Sequence, residues 1–282
     1  MSNDKKKKKR LGIYLLIVFT FSVMSVLAGK LAYSFRIAWE TSSLLFGFSP
    51  AIACIVTRLV TNEGFEDMKL NFHFRGNLRY YILAMVLPLT VGLAYSVLPF
   101  IISGNRDFFA NATPYSFISA VLTLTVYTGF AWITMIGEEL GWRGYMNQKM
   151  EPLFGTVGTC LLGGLVWGIW HFPGNLCAVL YGSGSLSEAL KMDADRILMC
   201  ILTGVVLMYL TKMTGSVIPA AIYHFIQNGS LNLGMTAARV TEDLVPTKSE
   251  SFTMDLCFLV LLAVYAAIFL MLMLKDKKKK VS

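Results

Sequence analysis

The sequence predicts an all-α protein, a bundle of about eight helices crossing a membrane, and three observations carry that prediction. Of the 282 residues, 55% are hydrophobic and only 15% charged, whereas a soluble domain carries about a quarter charged residues. Mean hydropathy is +0.60. Apolar runs of about 17–25 residues, the length that crosses a hydrocarbon core, recur along nearly the whole chain. A single transmembrane domain is therefore expected over 11–274, between a basic N-terminal tail, 1–10, and a basic C-terminal tail, 275–282.

The runs place spans at 11–29, 41–60, 80–102, 115–137, 156–181, 197–213, 216–235 and 253–274. Pro50, Pro88, Pro173 and Pro219 fall inside them as candidate kinks. The first run, Leu11 to Gly29, is longer than the 7–15-residue core of a cleaved signal and reads as a retained helix. There is no internal repeat.

The net charge of +8 does not point to nucleic acid. Its excess sits in Lys5 to Arg10, directly before the first span, and in Lys275 and Lys277 to Lys280, directly after the last. Such clusters mark the cytoplasmic side and attract anionic lipid headgroups, so membrane lipids are the expected partners. Lys69, Arg75, Arg79, Arg143, Lys149 and Lys212 fall in loops on the same side. The opposite loops, 182–196 and 236–252, carry Glu188, Asp193, Asp195, Glu242, Asp243 and Glu250. Both termini are thus expected in the cytoplasm. The five cysteines, Cys54, Cys160, Cys177, Cys200 and Cys257, form no C-x-x-C pair and read as small packing residues.

Against this apolar background the stretch Gly137-Glu-Glu-Leu-Gly-Trp-Arg-Gly144 stands out. A charged side chain at mid-bilayer costs roughly 2.5–3.5 kcal/mol or more, so an ionisable group there is a functional candidate by default. Span four is expected to continue as helix to a turn at Glu151-Pro152-Leu153-Phe154-Gly155, from which span five returns. Glu138 precedes Leu153 by 15 residues and His171 follows it by 18, which sets both roughly 22–27 Å from the turn at 1.5 Å per residue. His224 lies nine residues beyond Gly215, about 13 Å along span seven, with Asn228 one turn deeper. Glu139 and Arg143 are i,i+4 and can pair, leaving Glu138 about 100° away without that partner. Trp167 with His171, and His224 with Asn228, repeat the i,i+4 spacing. His73, in a basic loop, reads as a surface histidine.

The bland alternatives are specific. Glu139–Arg143 can be a plain interfacial ion pair, Trp167 a packing aromatic, and His224 with Asn228 interhelical hydrogen-bond glue. A free carboxylate at the depth of two imidazoles is harder to explain as structure alone.

These residues resemble the CPBP intramembrane proteases, the family of type II CAAX prenyl endopeptidases and bacterial Abi proteins. Glu138-Glu139-x-x-x-Arg143 is similar to its first motif. Trp167-x-x-x-His171 is similar to its second, with tryptophan where phenylalanine is common, and His224-x-x-x-Asn228 to its third. The resemblance covers about 115–235. It implies hydrolysis of a peptide bond within the membrane: Glu138 as general base on water, His171 holding water or base, His224 and Asn228 as oxyanion donors, and Glu139–Arg143 as the brace. It also implies a membrane-associated peptide substrate, either a prenylated CAAX protein or a bacteriocin-like precursor. The family is commonly called metalloprotease, and His171 and His224 could hold a divalent metal such as zinc. Asparagine is a poor zinc ligand and H-E-x-x-H is absent, so a metal-free site is the preferred expectation. A proton-coupled transporter and a non-catalytic immunity scaffold are the competing functions. The short loops and lysine-flanked ends point to a bacterial plasma membrane.

Overall fold

A computed structural model describes residues 3–34, 40–105, 113–127, 129–180, 184–231 and 246–279. The helices are α1 (Asn3–Ser34), α2 (Glu40–Val60), α3 (Leu78–Ser96), α4 (Leu98–Ser103), α5 (Pro114–Tyr127) and α6 (Gly129–Gly141). After a π-helical turn, Trp142–Met146, come α7 (Asn147–Trp170), α8 (Phe172–Leu180), α9 (Leu186–Thr214), α10 (Ile218–Ser230) and α11 (Lys248–Lys279). No strand occurs among the described residues. Five of the apolar segments, 3–28, 78–103, 132–176, 186–214 and 248–277, are long enough to cross a membrane, and Leu44–Val60 is a shorter apolar helix.

The segment 132–176 is 45 residues, which as one straight helix would run nearly 70 Å. Instead it doubles back. Gly155 (φ 70°, ψ 177°) breaks the helical path within α7, a conformation that glycine alone adopts without strain. Glu138 and Trp167, 29 residues apart, are consequently hydrogen-bonded. The turn expected at 151–155 is where the chain reverses. The returning arm packs along α9 through Gly164 and Gly168. A methyl group at Gly168 would lie 2.6 Å from the Cα of Ile197, and one at Gly164 would collide with the Cα of Ile201. Small residues four apart let two helix backbones meet without a hydrophobic driving force, as membrane helices require.

Three sequence expectations change in detail. The lysines of the N-terminal tail are the first turns of α1 rather than a separate segment. Span five breaks at His171 into α7 and α8. Residues 186–196, expected as a loop, are helical. Ser185 caps α9: its hydroxyl accepts from the Glu188 N–H while the Glu188 carboxylate accepts from the Ser185 N–H, so Ser-x-x-Glu starts the helix eleven residues early. Glu242 and Asp243, the Cys177 side chain and the side chains of Lys278 to Lys280 lie outside the described residues.

The core is aromatic. Trp142, Trp167, Trp170, Tyr14, Tyr145 and Tyr223 are almost fully buried. Trp170 stacks on Phe46 with 4.0 Å between centroids and donates to Ser49 Oγ at 3.0 Å, which ties α7 to α2. Apolar residues such as Leu16, Ile101 and Leu122 are exposed, as suits a lipid-facing belt.

At the end bearing the two basic tails, charges gather around Glu63. Its carboxylate pairs with Lys149, with Arg10 Nε at 3.3 Å, and accepts from the Tyr145 hydroxyl at 2.9 Å. Arg58 Nη1 meets Asp67 Oδ1 at 2.6 Å. The loop that follows leans on the α9–α10 turn, where the Val217 N–H donates to the Lys69 carbonyl at 2.9 Å and His73 Nδ1 contacts the Thr214 carbonyl at 3.1 Å. His73 remains exposed. In that packed loop, burial pushes the Lys69 ammonium below its ordinary range, and the Lys212 charge adds to the effect.

Candidate active site

Three helices bring the predicted residues together about halfway along the bundle. α6 carries Glu138 and Glu139 in its last turn, with Arg143 on the π-helical turn that follows. Such a turn inserts an extra residue into the helical ladder and recurs at functional sites. The returning arm of α7 supplies Trp167 and ends on His171. α10 supplies His224, flanked by the buried Gln227 and the exposed Asn228.

Glu139 is the hub. Its Oε1 accepts from Arg143 Nη1 at 3.1 Å and from His224 Nδ1 at 2.9 Å. An ionised carboxylate only accepts, so the proton of this contact sits on Nδ1 and the ring turns Nε2 away from Glu139. Glu139 is completely buried, and Arg143 and His224 nearly so. Two atoms of the network, Glu139 Oε2 and Arg143 Nε, have no hydrogen-bond partner among the described residues. The Arg143 guanidinium completes its surroundings by lying 4.2 Å over the Trp167 ring, a cation–π contact in a desolvated place.

Glu138 is held differently. It is 5% exposed, and its Oε2 accepts a single neutral donor, the Trp167 indole N–H, at 3.2 Å. Trp167 therefore touches each part of the site: N–H to Glu138, face to Arg143, and edge to His224, with 5.1 Å between the latter ring centroids. No cation lies within ion-pair distance of Glu138 among the described residues.

His171 caps α7. Its Nδ1 meets the Trp167 carbonyl at 3.0 Å; a carbonyl only accepts, so Nδ1–H donates and Nε2 keeps a free lone pair. The ring is half-buried and packs edge-on against Trp170 at 4.7 Å. Asn228 stands at the open edge of the group, its amide Nδ2 3.5 Å from Met135 Sδ. Burial therefore decreases from Glu139 through Glu138 and His224 to His171 and then Asn228.

Sequence reasoning missed two contacts. Gln227, 2% exposed, exchanges hydrogen bonds with Thr203 of α9, the shorter at 3.2 Å, and so fixes the rotation of α10. The His224–Glu139 bond was also not foreseen, because the i,i+4 spacing assigned Glu139 to Arg143 alone. His171 and His224 were the candidate metal ligands. Among the described residues no three His, Cys, Asp or Glu side chains converge as metal ligands. Both histidines give Nδ1 to a protein acceptor and keep Nε2, an arrangement that zinc-ligating histidines also show, while the remaining neighbour, Asn228, is a weak donor to zinc.

Residues 113–230 match the family described as type II CAAX prenyl endopeptidase Rce1-like, a stretch containing Glu138, Glu139, Arg143, Trp167, His171, His224 and Asn228. The CAAX prenyl protease 2 of Methanococcus maripaludis is 24% identical over 163 residues, which cover 57% of this chain and 54% of that protein. The chain thus spans about half the length of the curated relative it matches.

Proposed function

We propose, on the premise that the segment 113–230 belongs to the Rce1-like family of type II CAAX prenyl endopeptidases within the CPBP proteins, that this integral membrane protein hydrolyses a peptide bond by glutamate-activated water. The observation carrying the proposal is the contrast between adjacent carboxylates. Glu139 is held at one oxygen by two cationic-type donors, Arg143 and His224, whereas Glu138 meets only one neutral donor, the Trp167 indole.

In this reading Glu138 takes a proton from water as the water attacks the scissile carbonyl, and later delivers it to the leaving amine. His171 orients the water through its free Nε2. The developing oxyanion is met by His224 and Asn228. For His224 to donate at Nε2 the ring must carry both protons, and the Glu139 carboxylate against Nδ1 neutralises that imidazolium. Each well-placed oxyanion donor is worth about 10²–10³ in rate. Arg143 in turn holds Glu139 in place. No step is routed through a metal ion.

The substrate is proposed to be a membrane-associated peptide, with a prenylated CAAX-type C-terminus the first class to try and a bacteriocin-like precursor the second. A bacterial plasma membrane with both tails cytoplasmic is the proposed setting, supported by the distribution of Lys and Arg. The decisive experiment uses purified protein and an internally quenched peptide bearing S-farnesyl-cysteine. Wild type is expected to cleave it. Glu138→Gln is expected to lose about 10²–10⁴ of the rate, and full activity in that variant ends the proposal. Stoichiometric zinc together with chelator-sensitive cleavage would end its metal-free form.

A further inference from the structure

Away from the candidate active site, the tail-bearing end of the bundle holds a second polar cavity. α7 and α11 both pack along α9 but scarcely meet each other, so α9 forms the floor of a cleft between them. At the mouth of this cleft lies a cavity of about 500 Å³, walled by Pro152, Met213 and Met273 and bearing Glu151, Lys212, Asp276 and Lys277. Its size falls in the range of small-ligand pockets. Lys212 lies two residues from the end of α9 and Lys277 two from the end of α11, which is the depth of a headgroup layer rather than of the acyl core. Towards the middle of the bundle both flanking helices expose apolar side chains, among them Leu161 and Ile268.

A recess of about 20 Å³ adjoins the cavity, shares Glu151 and Lys212 with it, and reaches Lys69. It has room for one oxygen-sized group. Lys69 is half-buried, and its backbone lies in the left-handed region at φ 59°, uncommon for a residue with a Cβ. The Val217 N–H, donating to its carbonyl at 2.9 Å, holds it there. The charges around the two spaces can be counted. Glu151 is near enough to act on Lys69, but its ion pair is with Lys212, and it also accepts from Thr156 Oγ1 at 2.8 Å. Asp67 is taken by Arg58 at 2.6 Å, and Asp276 adjoins Lys277 in sequence. The lining thus brings three ammoniums, Lys69, Lys212 and Lys277, against two carboxylates, Glu151 and Asp276. One positive charge is left over.

We propose that this cleft binds one anionic phospholipid of single negative charge, with a phosphate oxygen in the recess between Lys69 and Lys212, the rest of the headgroup in the cavity beside Lys277, and the acyl chains along α7 and α11. Basic pockets between membrane helices at this depth suit anionic headgroups, and lysines meet a phosphate as point charges. The charge excess selects the class. A phosphodiester with an uncharged glycerol headgroup cancels it, whereas a choline headgroup brings a further cation and leaves it standing. Bound there, the lipid fastens the ends of α7, α9 and α11 to the α2–α3 loop. This is a single built site, unlike the diffuse attraction of the terminal lysines for a charged surface.

Such binding does not require peptidase activity, so the test uses none. The purified full chain, stripped of lipid in neutral detergent, is followed by its unfolding temperature and by native mass spectrometry. Dioleoylphosphatidylglycerol is expected to raise the unfolding temperature by about 5 °C and to remain as one molecule per chain. Dioleoylphosphatidylcholine and inorganic phosphate at the same concentration are expected to do neither. Lys69→Gln and Lys277→Gln should each lose most of the shift and Lys69→Arg should keep it, as should the tail variant Lys7→Gln/Lys8→Gln. The reading is the shift that lipid adds, so a variant of lower starting stability still reports, and Lys277 is exposed, so its replacement leaves the packing intact. An equal shift with phosphatidylcholine, a shift reproduced by phosphate alone, or a phosphatidylglycerol shift that survives Lys69→Gln or Lys277→Gln overturns the inference. So does its loss in the tail variant, which would assign the lipid to the terminal lysines.

Discussion

Two buried charge networks in this molecule can be compared directly. At the tail-bearing end, Glu63 is satisfied by Lys149, Arg10 and the Tyr145 hydroxyl, and Asp67 by Arg58. At mid-bundle, Oε1 of Glu139 is held by Arg143 and His224, but Glu138, one residue away, has only an indole N–H. Both networks centre on a buried glutamate, Glu63 with its side chain 7% exposed and Glu139 with 0%. The difference lies in how many acceptor positions are occupied. A carboxylate surrounded by cations and donors is a brace, whereas one met by a single neutral donor can still bind a proton or a water. Counting partners, rather than noting a charge in an apolar region, separates structural acids from chemical ones.

Substitutions can break this comparison. The largest effect is expected at Glu138: Glu138→Gln preserves shape and the indole contact, so peptide cleavage falls about 10²–10⁴-fold with little change in the unfolding temperature. A comparable loss of stability would mean that Glu138 is a brace as well. Glu139→Ala comes next, since it leaves Arg143 buried without its partner. Breaking a buried pair this way costs about 3–5 kcal/mol, read as a lower unfolding temperature in detergent, together with lost activity as His224 loses its orientation.

Glu63→Gln should separate the networks. It leaves Lys149 and Arg10 short of a countercharge and lowers stability by about 1–3 kcal/mol, while the activity of the folded fraction stays within a few-fold of wild type. A large kcat defect in folded Glu63→Gln protein would show that the two networks communicate through the π-helical turn, which carries both Arg143 and Tyr145. Asp67→Asn is expected to matter least. The Asp67 side chain is 52% exposed while Arg58 is fully buried, but Arg58 keeps the Gly64 carbonyl and asparagine retains an acceptor, so the change should cost about 1 kcal/mol.

Much of this was legible in the sequence because it depends on local spacing. The apolar run lengths located the membrane helices, the Pro-Leu-Phe-Gly turn located the reversal at Gly155, and i,i+4 spacing paired Glu139 with Arg143. What was not legible depends on how far each helix is rotated and how deeply it sits against its neighbours. His224 bonds Glu139 because the Gln227–Thr203 contact and the close approach of α7 to α9 fix those rotations, and no residue count along one helix contains that information. The Glu63 cluster was missed for the same reason: its members come from α1, the α2–α3 loop, the π-helical turn and α7. The early start of α9 is a different kind of miss. Ser185-x-x-Glu188 is a local signal, outweighed by the acidic residues that made the segment look like an outer loop.

The indole of Trp167 has one more consequence. In chains where a phenylalanine holds this place of the motif, the aromatic face remains for the arginine but the N–H does not. On the proposed mechanism this chain keeps its base on a tether in the resting state, and an incoming water or peptide must compete with the tryptophan for the same oxygen. Trp167→Phe would cut that tether without emptying the space, converting a parked carboxylate into one free to swing.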